Sequence, residues 1–142
     1  MQGTYRMGLD VGSTTAKVAV VDEHDALVYS RYERHNAKVN ELVMAYLDDM
    51  EKLLGDCPLS VTVTGSVGMA TAEQLQAPFV QEVVAATVYA RHRHPEAKAL
   101  IDIGGEDAKV VFFNGKSMEL RMNGNCAGGT GAFIDQMAVL MG

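Results

Sequence analysis

The sequence predicts an α/β protein built as two successive lobes, each opening on short antiparallel strands. Short apolar runs bounded by Gly, Asp and Asn occur near the start and again after residue 98, as strands and turns require. Between them, from Lys38 to Leu54, apolar residues fall at helical spacing. A strand–turn–strand pattern is also repeated, without a gap, 92 positions later.

The elements follow in order. Met7 to Val11 and Ala16 to Val21 read as strands joined by the tight turn Gly12-Ser13-Thr14-Thr15. Asp22 to Asp25 is a polar turn and Leu27 to Arg34 a third strand, completing an antiparallel meander. In the helix, Val39, Leu42, Val43, Tyr46, Leu47, Met50, Leu53 and Leu54 share the apolar spacing. Asn36 is expected to cap its start, with Gly55 as its stop and Pro58 beyond. Val61 to Thr64 reads as a short buried strand ended by Gly65. A second helix is expected from Phe79 to about His92, with Val80, Val83, Val84, Thr87 and Val88 on one face and Pro95 at its end.

The strand pattern then restarts at Ala99 to Ile103, followed by the turn Gly104-Gly105 and a strand from Lys109 to Phe113. Asn114-Gly115 is a hairpin turn and Ser117 to Met122 the next strand. A helix should follow the glycines at 128, 129 and 131, with Phe133, Ile134, Met137, Leu140 and Met141 on its apolar face.

Composition limits the function classes. With 48% hydrophobic and 21% charged residues, the 142-residue chain has the make-up of a folded soluble protein. No apolar run approaches the roughly 20 residues of a membrane-spanning helix, and the first residues lack a signal-peptide pattern, so cytoplasm and no membrane partner are expected. The net charge of −6 and the lack of basic runs argue against a nucleic-acid partner. The two cysteines, Cys57 and Cys126, make neither a disulfide framework nor a local zinc pattern. Histidines 24, 35, 92 and 94 fit no metal spacing with a third ligand.

The repeat carries the chemistry. Leu9 to Val20 overlies Ile101 to Phe112, matching Asp10 with Asp102, Gly12 with Gly104, Ala16 with Ala108 and Lys17 with Lys109. Each copy has a buried strand with an Asp near its end, a glycine turn and a second strand. Glycine lets backbone bend tightly and approach a ligand, and successive turn amides can converge on an anion. Ser13, Thr14 and Thr15 add hydroxyl donors. A carboxylate beside such a nest would repel phosphate directly, but it can hold Mg²⁺ through water or orient an attacking water. Two such hairpins facing one another would clamp a polyphosphate between two lobes. The bland alternative is a pair of ordinary hairpins with glycine in the turns.

Several side chains keep two readings. Lys17 either reaches phosphate or lies on the solvent face, and Lys109 repeats it. Glu106 and Asp107 either hold water or metal, or cap the second turn. Thr64-Gly65-Ser66-Val67-Gly68 either lines the cleft or is a strand-to-helix turn.

The hairpins resemble the two phosphate motifs of the actin, heat-shock chaperone and sugar kinase ATPase superfamily. The stretch Arg121-Met122-Asn123-Gly124-Asn125-Cys126-Ala127-Gly128-Gly129-Thr130-Gly131-Ala132-Phe133 narrows the match. It is similar to the activators of 2-hydroxyacyl-CoA dehydratases and the ATPase subunits of benzoyl-CoA reductases, and most of all to their long, multidomain activases. The resemblance implies ribonuclease H-like lobes with mixed five-stranded sheets. Residues 1–95 would form the first lobe and 96–142 the opening of a second.

It further implies binding of ATP or ADP with Mg²⁺, with Asp10 and Asp102 handling metal and water. Gly12, Ser13, Thr14, Thr15, Lys17, Gly104, Gly105, Glu106 and Asp107 would bind nucleotide. A [4Fe–4S] cluster would be shared at the axis of a homodimer, with Cys126 as its first ligand and an electron passing to an acyl-CoA dehydratase or reductase. A Cys between glycines at a helix start sits where free amides favour a thiolate. The second cluster cysteine and the adenosine-binding glycines of the family would lie beyond Gly142. The chain is therefore expected to be a fragment with weak nucleotide binding and a tendency to self-associate. Rival readings are a sugar or acyl kinase on the same fold, and a nucleotide-binding domain without turnover.

Overall fold

A computed structural model describes residues 3–104, 108–115, 117–123 and 138–139. The chain forms two compact units, residues 1–82 and 83–142.

The first unit is a mixed four-stranded sheet of β1 (Tyr5–Val11), β2 (Thr15–Val21), β3 (Leu27–Arg34) and β4 (Leu59–Thr64), in the order β3-β2-β1-β4. The three-strand meander is antiparallel, and β4 pairs in parallel with β1. That parallel pairing needs a crossover. Helix α1 (Val39–Leu54) supplies it, with Val43, Tyr46, Met50 and Leu54 buried at intervals of one helical turn. They pack over Tyr5, Met7, Leu9, Val11, Ala16, Val18 and Val20, the alternate residues of β1 and β2 on one face. Burying side chains of this size stabilises the fold by about 1.5–3 kcal/mol each. The Tyr46 hydroxyl donates to the Ala16 carbonyl at 3.2 Å, so its buried polar tip is satisfied.

Gly55 ends α1 as the sequence predicts, but Asn36 does not cap it. Lys38 stands at the cap position with no side-chain cap bond, because Asn36 and Ala37 turn through left-handed φ values of 48° and 63°. A short helix not expected from the sequence, α2 (Gly68–Leu75), follows β4. It buries only the small residues Gly68, Thr71 and Ala72, so it carries no apolar period to read. The expected fifth strand is a single parallel bridge, Val63 to Phe79, held by Val63 N–H to Pro78 O and Val80 N–H to Val63 O, both 2.9 Å. Pro78 has no N–H to extend that pairing.

In the second unit α3 (Glu82–Arg93) begins three residues later than the sequence predicts, because Phe79 and Val80 lie along β4. Thr87 and Ala90 are its buried residues, whereas Val84 and Val88, expected on its apolar face, are exposed. The strands β5 (Ala99–Ile103), β6 (Ala108–Asn114) and β7 (Ser117–Asn123) form an antiparallel sheet in that order, close to the predicted boundaries. The helix expected after residue 131 lies outside the described residues apart from Ala138 and Val139, which are helical. Among the described residues, no helix is long and apolar enough to cross a membrane.

Candidate functional site

Strands β1 and β4 run in the same direction, so their carboxyl ends, at Val11 and Thr64, reach the same edge of the sheet. The turn Gly12–Thr15 and the loop Gly65–Val67 leave from that edge together. Open α/β sheets bind ligands outside the carboxyl ends of such strands.

In the turn, Gly12 N–H donates to Thr15 O at 2.9 Å, and Ser13 and Thr14 are exposed. Gly12 does not have a left-handed φ, and a Cβ there would meet Thr15 O at 3.4 Å, an ordinary contact. The bend itself therefore does not demand glycine, contrary to the sequence-based expectation.

Gly65 is different. Its φ is +104°, and a Cβ would fall 2.2 Å from Val11 O. This glycine lets the loop cross the end of β1, where Val67 N–H donates to Val11 O at 3.1 Å. The Thr64–Gly68 segment, ambiguous in sequence, is thus both a strand-to-helix turn and a neighbour of the glycine hairpin.

Asp10 lies opposite Lys17 on β2 and beside Thr64 on β4. Lys17 Nζ donates to Asp10 Oδ2 at 2.8 Å and sits 5.3 Å from the centre of the Tyr32 ring. Asp10 Oδ1 and Thr64 Oγ1 are buried and have no hydrogen-bond partner among the described residues. A buried polar atom left without a partner costs about 1–3 kcal/mol. Two of them side by side at a sheet edge mark a place suited to a bound water or ion. Lys17 offsets the carboxylate charge, which reduces the repulsion Asp10 would exert on a nearby anion. Thr64 had no separate signal in the sequence, because its partner in this arrangement comes from a strand more than 50 residues away.

The second hairpin repeats the pairing. Asp102 lies directly across from Lys109, as Asp10 does from Lys17, and both Asp102 and Lys109 are half-buried. Gly104 follows β5 directly. Gly105, Glu106, Asp107 and Cys126 lie outside the described residues. Among the described residues, no three or more His, Cys, Asp or Glu side chains converge as a metal site.

Known proteins share the sequence pattern and the fold of this chain. The chain is 32% identical to a 2-hydroxyisocaproyl-CoA dehydratase activator of Clostridioides difficile, over 96% of this chain and 52% of that protein. The solved structure of the activator of the 2-hydroxyisocaproyl-CoA dehydratase from Clostridium difficile, with bound ADPNP, superposes with a TM-score of 0.79 at 31% identity, over 97% of this chain and 52% of that one. Component A of the (R)-2-hydroxyglutaryl-CoA dehydratase of Acidaminococcus fermentans gives a TM-score of 0.80 at 25% identity, over 97% and 54%. The chain thus spans about half the length of the relatives it matches. The model of the BadF/BadG/BcrA/BcrD ATPase family matches residues 7–142, and the chain, with its actin-like α/β fold, belongs to that family.

Proposed function

We propose that the protein is an ATP-hydrolysing activator that delivers a low-potential electron to an acyl-CoA dehydratase or a related reductase, and that this chain supplies its phosphate-binding hairpins. The observation that carries the reading is the group at the sheet edge: Asp10 paired with Lys17, Asp10 Oδ1 and Thr64 Oγ1 buried without a hydrogen-bond partner among the described residues, and a glycine turn with exposed Ser13 and Thr14 next to them.

The turn amides and the hydroxyls of Ser13, Thr14 and Thr15 would hold phosphate oxygens, as converging backbone dipoles do. Lys17 holds the Asp10 carboxylate in place through their ion pair and compensates its charge. Asp10 Oδ1 and Thr64 Oγ1 fit a shell of ordered water, and through it Mg²⁺, which would neutralise charge developing on the phosphates. By the repeat, Asp102, Gly104, Gly105, Glu106 and Asp107 would form a second phosphate-binding turn, with Lys109 in the place of Lys17.

Cys126 is the proposed ligand of a [4Fe–4S] cluster, which supplies one-electron chemistry when bound. A thiolate donor is the right chemistry for such a cluster, and a single cysteine in this segment calls for further cysteines, as a homodimer would provide. The named activities of the relatives support a partner among acyl-CoA dehydratases, and we assign the work to the cytoplasm.

The test is Mg²⁺-dependent ATP hydrolysis by the full-length protein. Asp10→Ala should lower it at least about a hundredfold, the scale on which losing one group that stabilises developing charge acts. Undiminished turnover in that variant would remove Asp10 from the site.

A further inference from the structure

We infer that His35 is a positioning residue for the phosphate-binding turn, clamping two of its peptide units so that their carbonyls face inward and their amides outward. The inference rests on the reading of Gly12–Thr15 as a phosphate-binding turn. His35 is not among the nucleotide- or metal-binding residues named above.

His35 follows the last residue of β3 and is only 8% exposed. It holds the turn at two points. Its backbone N–H donates to Thr14 O at 3.2 Å, one step beyond the last β2–β3 pair, Thr15 with Arg34. Its ring Nε2 lies 3.0 Å from Gly12 O.

The ring's protonation pattern follows from its other contact. Ala37 N–H donates to Nδ1 at 3.1 Å, so Nδ1 is the acceptor. A neutral imidazole with Nδ1 accepting carries its proton on Nε2, and that proton must go to the Gly12 carbonyl, which can only accept. The backbone gives up conformational freedom to make this arrangement. Asn36 and Ala37 both take left-handed φ values, a conformation that asparagine tolerates and that is unfavourable for alanine. That turn returns the Ala37 amide to the ring and is closed by Lys38 N–H to His35 O at 2.7 Å.

The consequence for an anion follows from peptide planarity. In a trans peptide the N–H points opposite to the C=O of the same unit, and the chain has no cis peptide bonds among the described residues. With Gly12 O and Thr14 O both drawn to His35, the N–H groups of Ser13 and Thr15 point the other way. Two carbonyl dipoles that would repel phosphate are turned into the protein, and two amide dipoles that attract it are turned out. Without the clamp those peptide units are free to flip, and a flipped unit presents its oxygen to the ligand.

Two conservative variants separate this role from simple packing. Glutamine places an amide N–H near the position of Nε2, and asparagine reaches only the position of Nδ1. In the full-length protein, ADP and adenosine binding would be measured by calorimetry, alongside thermal unfolding and amide hydrogen exchange at Ser13–Thr15. We expect His35→Asn to weaken ADP roughly tenfold and to speed exchange in the turn, with adenosine affinity unchanged and His35→Gln within about threefold of the parent. ADP affinity equal to the parent in His35→Asn, or equal losses for ADP and adenosine, would overturn the clamp while leaving the phosphate reading intact. A parent protein that binds adenosine but gains nothing from the phosphates of ADP would instead overturn the phosphate reading and the inference with it. Exchange in the turn still reports whether His35 holds it.

Discussion

At the scale of single residues, the site is defined by atoms whose needs the fold does not meet. Thr64 is the clearest case. Its methyl suits a half-buried strand, but its hydroxyl is buried with no partner among the described residues. If the hydroxyl serves a bound water or ion, Thr64→Val should stabilise the protein and damage function together. Valine keeps the shape and removes a desolvated group, a gain of about 1 kcal/mol. Unfolding in denaturant should show that gain, while kcat/KM for ATP in the full-length protein falls roughly tenfold, a conflict common at functional sites. Lower stability with unchanged hydrolysis would show the hydroxyl to be structural. Asp10 shares this character on one oxygen only, since Lys17 satisfies the other.

At the scale of elements, α1 is fastened to β3 by a polar group as well as by its apolar stripe. Asp49 Oδ2 accepts from the Tyr29 hydroxyl at 2.6 Å and from Arg31 Nη1 at 2.9 Å, and Arg31 continues to Glu33 at 2.8 Å. The Tyr29 hydrogen bond, with help from Arg31, holds the Asp49 carboxyl below its ordinary value of 3.8. Burial, followed by the same bond to Asp49, raises the Tyr29 phenol. A depressed carboxylate contributes stability that is fully present above its unfolded pKa and is lost as pH falls through its folded one. Thermal melts below about pH 4 should therefore show an acid-induced loss that is shallower in Asp49→Asn than in the parent. Identical acid limbs in the two proteins would mean that Asp49 gains nothing from its partners. None of this was legible in sequence, because Tyr29, Arg31 and Asp49 meet only after the chain crosses from the meander to the helix.

At the scale of the whole molecule, the repeat has two unequal settings. Leu9, Val11 and Val20 are fully buried, at 0% exposure, beneath α1. Their counterparts 92 positions on, Ile101, Ile103 and Phe112, are 66%, 48% and 37% exposed. Pairing of Ile101 with Val110, Ile103 with Ala108 and Ala99 with Phe112 puts these residues on one sheet face. An apolar face of this kind drives association when nothing covers it. The 142-residue chain should therefore show concentration-dependent self-association by sedimentation velocity, reduced by Ile101→Lys. A monomer at every concentration would show that this face is protected.

The sequence by itself determined the meander, the long crossover helix, the restart of the strand pattern at residue 99 and the twinned Asp–Gly hairpins. All of these rest on local rules: periodicity, turn residues, and spacing along the chain. It missed α2, whose contacts are small residues without an apolar period, and it misplaced the cap of α1 and the start of α3, where a turn and a strand edge prevail over local preference. Only the tertiary structure decided that Thr64 joins Asp10, that Gly65 rather than Gly12 is demanded by geometry, and that His35 grips the turn. Each of these depends on a partner 20 to 60 residues away, brought close by parallel or antiparallel pairing. Strand pairing joins residues by register, which a linear pattern does not encode.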